Sequence, residues 1–137
     1  GHIAVSLIEK FGDGIKFLRD PTRGGVATVL NEIAIKSAMC IELQEKQLPV
    51  LPQAASACEL LGLDPLYVAN EGIFVVIADR SVAKEVLETM LGFSAGKGAA
   101  LIGEVTQNYP KKVVVKSGIG GKRVVSMLIG EQLPRIC

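Results

Sequence analysis

The sequence is poor in aromatic residues and in histidine, and both shortages restrict its chemistry. Aromatic residues make up 4% of the 137 residues, and tryptophan is absent. A core must therefore be built from valine, isoleucine, leucine and alanine. The single histidine, His2, follows Gly1, and we expect residues 1–2 to be a vector scar. A histidine metal site and a Ser–His or Cys–His catalytic pair are thereby excluded.

Cysteine is also scarce, and its spacing excludes two further classes. The three cysteines, Cys40, Cys58 and Cys137, are odd in number, far apart and without a CxxC pair. This arrangement argues against a disulfide framework and a zinc site, and it fits a reducing compartment. We predict no metal site. We expect Cys40 and Cys58 to be packed as small apolar side chains, Cys58 on the apolar stripe of a helix.

The charge balance and the apolar runs exclude two kinds of partner. The formal net charge is +1, which gives no basic footprint for nucleic acid. No apolar run approaches the ~20 residues that a membrane span needs. Hydrophobic residues make up 49% and charged residues 21%, a composition that disfavours disorder. We therefore predict one folded domain without a nucleic-acid or membrane partner.

Hydrophobic periodicity predicts about four helices and five strands in mixed order. The helices are expected over residues 4–11, 26–33, 54–61 and 83–90, and the strands over 40–43, 73–78, 99–105, 112–116 and 123–128. The continuous apolar run of 73–78 is typical of a strand buried on both faces. Ser81 is expected to cap the helix that follows it, and Gly62 to end the third. This mixture predicts the α+β class, with helices packed on a sheet.

The stretch DPTRGG, residues 20–25, is a candidate phosphate corner. Its two glycines allow a ligand to approach the backbone closely, and a helix N terminus just after them favours an anion. Thr22 adds a hydroxyl, and Arg23 a guanidinium suited to phosphate. The GxxxxGK[ST] spacing of a P-loop is absent. The alternative is an ordinary helix start, in which Asp20 or Thr22 caps the helix and Arg23 is solvated.

A second candidate, Asn70-Glu71-Gly72, directly precedes the apolar run of 73–78. A carboxylate at the mouth of a buried strand can lie in partly dry surroundings, which would raise its pKa and make it a useful base. The alternative for Glu71 is a solvated acid in a turn. The glycine-rich stretches 96–98 and 117–122 lack the strand–loop–helix context of a nucleotide cradle, and we predict turns there.

The chain ends in GEQLPRIC, and this ending places a cysteine at a terminus. Pro134 disfavours helix through the tail, and from Gly130 seven residues could reach roughly 23 Å if extended. Arg135 would favour the thiolate of Cys137, whereas the terminal carboxylate would disfavour it. The tail either carries a working thiol or ends in an inert residue.

Four segments together resemble the HypE family of hydrogenase maturation proteins. They are RDPTRGGVATVLNEIA, ACELLGLDPLYVANEG, ALIGEV and GEQLPRIC, and the match runs from about residue 3 to residue 137. The RDPTRGG element is also similar to elements of the wider aminoimidazole ribonucleotide synthetase superfamily, whereas the PRIC ending is specific to HypE. The resemblance implies the superfamily's C-terminal domain, which has a mixed sheet flanked by helices and is partly ferredoxin-like.

The resemblance also implies an activity. In the family, a HypF-type carbamoyltransferase loads the C-terminal thiol, and ATP then drives dehydration of the thiocarboxamide to a thiocyanate. The cyano group passes to iron on the HypC–HypD pair and becomes a cyanide ligand of the [NiFe]-hydrogenase centre. By this resemblance Cys137 would be the carbamoyl acceptor and Glu71 the base that removes an amide proton. The nucleotide phosphates would be held by Asp20, Thr22, Arg23, Gly24 and Gly25, with Asn70 beside Glu71.

One departure from the family pattern limits what this chain is expected to do alone. The family's full chain has an N-terminal domain with acidic Mg²⁺–ATP ligands, and nothing here corresponds to it. We therefore expect a C-terminal domain over 3–130 with a flexible tail over 131–137, inactive alone and binding ATP and Mg²⁺ mainly through the missing domain. A cytoplasmic, homodimeric full-length protein is expected. The alternatives are a docking module that presents its tail to partners, or another ATP-using superfamily member.

Overall fold

The structure, a computed structural model, describes residues 2–20, 24–68 and 73–127. The chain divides into two compact units: the first contains Gly1–Asp20 and Phe74–Leu101, and the second Pro21–Ile73 and Ile102–Cys137. The domain limits expected from the sequence stay a prediction, because the tail of 131–137 lies outside the described residues.

The described residues form four α-helices and six β-strands, in place of the four helices and five strands expected. The helices are α1 (His2–Phe11), α2 (Gly25–Ser37), α3 (Pro52–Leu61) and α4 (Ala83–Leu91). The strands are β1 (Ile15–Arg19), β2 (Cys40–Gln44), β3 (Val75–Ala78), β4 (Gly103–Thr106), β5 (Val113–Lys116) and β6 (Lys122–Val125). None of the described helices is long and apolar enough to cross a membrane.

The first unit is built on an antiparallel pair, β1 and β3, in which Arg19 lies opposite Val75. Its core is apolar and centres on Ile3, Leu7 and Val86. Partly buried apolar residues pack around these three: Phe11, Ile15, Leu18, Phe74, Val76, Ala78, Val82, Met90 and Phe93. The unit therefore owes its packing to the apolar faces of α1 and α4 and to the two strands.

The second unit contains a four-stranded sheet in the order β4-β2-β5-β6. The pair β2 and β5 is parallel, whereas β2 with β4 and β5 with β6 are antiparallel. Helix α2 packs on this sheet through buried apolar residues that include Val29, Leu30 and Ile33. The mixed sheet confirms the predicted α+β class, and the antiparallel β5–β6 pair confirms the predicted hairpin.

Several predictions about the strands and helices of the first unit were wrong. β1 was not predicted; its sequence, IKFLR, places charged residues within a short strand and lacks an apolar run. The strand predicted over 73–78 begins only at Val75, and within it only Val75 is buried, because a two-stranded pair cannot cover both faces of its strands. Ser81 is not the cap of α4: Val82 holds that position, and the Ser81 hydroxyl donates to Asp79 Oδ1 at 2.8 Å.

Helix α3 forms and ends as predicted, but its apolar stripe is not buried. Gly62 ends it in the left-handed region, with φ of 70°. Leu61 is 69% exposed, and Cys58 is only partly buried, so the predicted packing of Cys58 is wrong in extent. The physical reason is that the main neighbour of α3 is the short turn Pro65–Tyr67 and no sheet. Cys40, in contrast, is fully buried as predicted.

Candidate phosphate corner and the surrounding contacts

The start of α2 departs from a side-chain-capped helix. Gly24 occupies the N-cap position with φ of 74° and no side-chain cap, so neither Asp20 nor Thr22 holds that position. The alternative is therefore wrong in placing the cap at Asp20 or Thr22, whereas its solvated Arg23 lies outside the described residues. Backbone N–H groups of a first helical turn have no partners within the helix itself. This end of α2 keeps the donors and the positive dipole end that an anion prefers.

Gly25 is required at its position for two reasons. Its φ of 65° lies in the left-handed region, and the residue is buried. A Cβ atom there would lie 2.6 Å from the carbonyl oxygens of both Leu66 and Val68. The turn Pro65–Tyr67 therefore packs its backbone directly on the first residue of α2. Asp64 stabilises that turn by accepting a hydrogen bond from the Leu66 amide at 3.0 Å.

Parts of both site motifs, residues 21–23 and 69–72, lie outside the described residues, but their neighbours are described. Residues 21–23 follow β1 and precede α2, and residues 69–72 follow Val68 and precede β3. Within the first unit, Arg19 is paired with Val75. Within the second, Gly25 lies against Val68. The residues next to both motifs are therefore held by backbone contacts, one set in each unit.

Of the eight predicted site residues, the structure describes three. Asp20 is exposed at the end of β1 in the first unit, and Gly24 and Gly25 open α2 in the second. Thr22, Arg23, Asn70, Glu71 and Cys137 lie outside the described residues. Their predicted roles stay predictions. The predicted turns at 96–98 and 117–122 are confirmed, except that Lys122 already belongs to β6.

The end of β6 is held by three side chains that sequence reasoning missed. Asn31 Nδ2 donates to the carbonyls of Ala27 and Val125, each at 2.9 Å. The Tyr67 hydroxyl donates to the Ser126 carbonyl at 2.6 Å. Arg123 Nη1 forms an ion pair with Asp64 Oδ2 at 2.9 Å. The signal for Asn31 was available, because an amide beside Leu30 on the apolar face of a helix needs a partner.

The environment of Tyr67 keeps its hydroxyl protonated. Burial raises the pKa of Tyr67 above its ordinary value, and the carboxylate of Asp64 raises it further. The neutral hydroxyl is the form that can donate to a carbonyl oxygen. Tyr67 therefore remains a donor at neutral pH.

Glu42 forms a separate buried polar cluster that the sequence did not predict. It lies in β2 and is 1% exposed. Asn108 Nδ2 donates to its Oε2 at 2.8 Å, and Lys116 Nζ lies 3.4 Å from Oε1. The hydrogen bond from Thr106 is the main cause that lowers the pKa of Glu42, and Asn108 and Lys116 add to it. Among the described residues, no group of three or more potential metal ligands is close enough to hold an ion.

The fold and the α2 corner define the class to which the chain belongs. The model of the AIR synthase related protein family, C-terminal domain, matches residues 2–116, and the chain is a member of that family. Within it, the chain is similar to HypE. It is 53% identical over 136 residues to carbamoyl dehydratase HypE of Cupriavidus necator, which covers 99% of this chain and 39% of that protein. The predicted resemblance is confirmed.

Solved structures give the same result. A HypE in complex with ATP superposes with a TM-score of 0.90 at 41% identity, over 99% of this chain and 42% of that one. A chain of a HypE–HypF complex superposes with a TM-score of 0.86 at 43% identity, over 91% of this chain and 40% of that one. This chain thus spans about two fifths of the length of the curated relatives that it matches.

Proposed function

We propose that this chain is the C-terminal part of a carbamoyl dehydratase that acts in [NiFe]-hydrogenase maturation. The observation that carries the proposal is the 53% identity to a HypE over 136 residues. That likeness extends over 99% of this chain. The complete enzyme would carry out the reaction, and this chain alone would be inactive.

The proposed reaction converts a carbamoyl group on the Cys137 sulfur into a thiocyanate. The amide oxygen attacks the γ-phosphate of ATP, and ADP leaves, so that the oxygen becomes part of a good leaving group. Glu71 acts as the base for an amide proton. Loss of both nitrogen protons and of phosphate then forms the C≡N bond and leaves the S–C bond intact. A general base that works near neutral pH needs a suitably shifted pKa. Because the substrate is tethered to the enzyme, its effective concentration at the base is high.

The start of α2 would hold phosphate oxygens of ATP. The Gly24 end, with Gly25 against the turn Pro65–Tyr67, fits an anion because Gly24 at the N-cap has no side chain to occupy the amide donors. Thr22 and Arg23 would add a hydroxyl and a guanidinium, with Asp20 before them. Asn70 would support the site beside Glu71. A HypE solved with ATP supports this use of ATP.

Magnesium would be held elsewhere in the complete enzyme. The described residues of this chain offer no cluster of metal-ligand side chains. Mg²⁺ prefers carboxylate oxygens together with substrate phosphates. We therefore assign the Mg²⁺ ligands to the part of the protein's relatives that this chain does not span. A Mg²⁺ ion would there neutralise charge on the ATP phosphates.

The partners follow from the reaction. A HypF-type carbamoyltransferase would load Cys137, as the existence of a HypE–HypF complex supports. An iron-carrying HypC–HypD complex would accept the cyano group. We further propose a homodimeric full-length enzyme that acts in the cytoplasm.

The test is the conversion rate of Glu71→Gln in the full-length protein after carbamoylation of Cys137. We expect thiocyanate formation to fall by about 10²–10⁴-fold, the usual contribution of a general base. Glu59→Gln is the matched control, because Glu59 is an exposed acid on α3, and it should convert at the normal rate. A normal rate for Glu71→Gln would remove Glu71 as the base. If no residue of this domain affected the rate, the domain would be a docking module that presents the tail.

A further inference from the structure

The end of β6 and the residue after it, Ser126, are held by two side chains of the second unit. Asn31, in the second turn of α2, holds the Val125 carbonyl at 2.9 Å. Tyr67 holds the next carbonyl, that of Ser126, at 2.6 Å. The two donors come from elements far apart in sequence, and they donate hydrogen bonds to consecutive carbonyl groups. Such a double attachment fixes both the position and the direction of the backbone at residues 125–126.

The same two donors are tied to the predicted site motifs. Tyr67 lies three positions before Asn70 and four before Glu71. Asn31 lies on the helix that begins at Gly25, and Gly25 packs against the carbonyl oxygens on either side of Tyr67. The start of α2, the turn at 65–67 and the end of β6 therefore form one contiguous contact set within the second unit. A shift of Tyr67 would alter the departure point relative to α2.

We propose that Tyr67, with Asn31, is a positioning residue that sets where the cysteine-bearing C-terminal segment leaves the fold. The proposal rests on the proposed function and assigns Tyr67 a part in presenting the tethered substrate. Tyr67 acts through the Ser126 carbonyl and has no role in the bond-making steps.

The reach of the segment explains why a fixed origin matters. Eleven residues follow Ser126, up to and including Cys137. An extended segment of that length spans at most roughly 36–40 Å, at 3.3–3.6 Å per residue. The effective concentration of a tethered group depends on how its tether length compares with the distance to be spanned. Releasing Ser126 adds only one residue to this length, so the expected loss comes from freeing the direction in which the segment starts, which spreads the tethered substrate over a larger volume.

The kinetic test compares a tethered with an untethered substrate in the full-length protein. We expect Tyr67→Phe to convert carbamoylated Cys137 about fivefold more slowly, which corresponds to the loss of one neutral hydrogen bond. The full-length Cys137→Ala protein, with and without Tyr67→Phe, is then given a synthetic GEQLPRIC peptide carbamoylated on its cysteine. We expect the proteins with and without Tyr67→Phe to convert this peptide at equal rates. A purely structural role would lower both rates equally, and that result would overturn the proposal.

Tyr109→Phe is the matched control for this comparison. Lys122 Nζ donates to the Tyr109 hydroxyl at 3.5 Å, and among the described hydrogen bonds none joins that hydroxyl to Val125 or Ser126. It should leave the tethered rate unchanged. A tethered rate in Tyr67→Phe equal to that of the unsubstituted protein would also overturn the proposal. If the unsubstituted protein performs no dehydration at all, the proposed function fails instead.

A second measurement requires no catalysis. Spin labels on Cys137 and on an introduced cysteine at the exposed Lys36 of α2, in a Cys58→Ser background, report the spread of distances between tail end and fold. We expect Tyr67→Phe to broaden that distribution and Tyr109→Phe to leave it unchanged. An unchanged distribution in Tyr67→Phe would contradict the anchoring, whatever the enzyme assay shows.

Discussion

Different kinds of interaction stabilise the interiors of the two units. The first unit packs apolar side chains around Leu7, and no polar or charged side chain is fully buried among its described residues. The second unit buries Asn31 and Glu42, each with specific partners, beneath the same kind of apolar packing. Apolar contacts are tolerant of rearrangement, whereas buried polar groups with specific partners favour one arrangement. The interactions that specify one arrangement of side chains are therefore concentrated in the second unit, which contains the start of α2.

The largest expected effect comes from Gly25→Ala in the second unit. The substitution places a Cβ 2.6 Å from two carbonyl oxygens and forces a non-glycine residue to φ of 65°. We expect the free energy of unfolding to fall by about 3 kcal/mol or more. Urea unfolding of the chain measures this loss in the free energy of unfolding.

Gly62→Ala is the matched control for Gly25→Ala. Gly62 has a similar φ of 70°, and nothing lies within 4 Å of its Cβ position. Only the backbone cost of about 1 kcal/mol is expected there. Equal losses at the two positions would show that the turn Pro65–Tyr67 does not press on α2.

An intermediate effect is expected from Glu42→Gln, and it should depend on pH. A carboxyl whose pKa is lower in the folded state stabilises the fold above its ordinary pKa of 4.5, and this contribution is lost as the pH falls below that value. We expect the variant to be about 2 kcal/mol less stable at pH 7 and to differ less from the unsubstituted chain at pH 4. Urea unfolding at the two pH values tests this.

Leu7→Ala in the first unit provides the contrast for Glu42→Gln. Leu7 is fully buried in an apolar core, so its truncation should lower the free energy of unfolding by a similar amount at both pH values. A Glu42→Gln deficit that did not shrink at pH 4 would remove the distinction between the units.

The smallest effect is expected for the Asp64–Arg123 ion pair. The two side chains are 23% and 47% exposed, so water screens their attraction. A double-mutant cycle with Asp64→Asn and Arg123→Gln should give a coupling of about 0.2–1 kcal/mol that shrinks with added salt. A coupling above this range, or one indifferent to salt, would mean that the pair is more deeply buried than its exposure indicates.

Local patterns predicted some elements and could not predict others. Helix α3 and its end at Gly62 follow from apolar spacing and from the freedom of glycine, both of which are local properties. The exposure of its apolar stripe was not predictable, because burial depends on which elements pack against α3. β1 was missed since its pairing with β3 joins residues about 60 positions apart in sequence.

The candidate site shows the same limit. Arg23 and Glu71 were singled out because their chemistry and their neighbours suggest roles. The role of Tyr67 is not predictable in this way, because its partner is the backbone carbonyl of Ser126. Every residue has a backbone carbonyl, so the sequence does not mark this one. The close approach of Gly25 to the turn at 65–67 was likewise invisible, since a glycine in sequence does not reveal which backbone it faces.

The most direct test of the account is mass spectrometry of the C-terminal peptide of the full-length protein. The protein is incubated with its HypF-type transferase, carbamoyl phosphate and ATP, and Cys137→Ala is treated in parallel. The account predicts a carbamoyl group on Cys137, followed by the loss of one water when ATP is available to the dehydratase, and no modification in Cys137→Ala. An unmodified Cys137, or a carbamoyl group that never loses water, would contradict the proposed function.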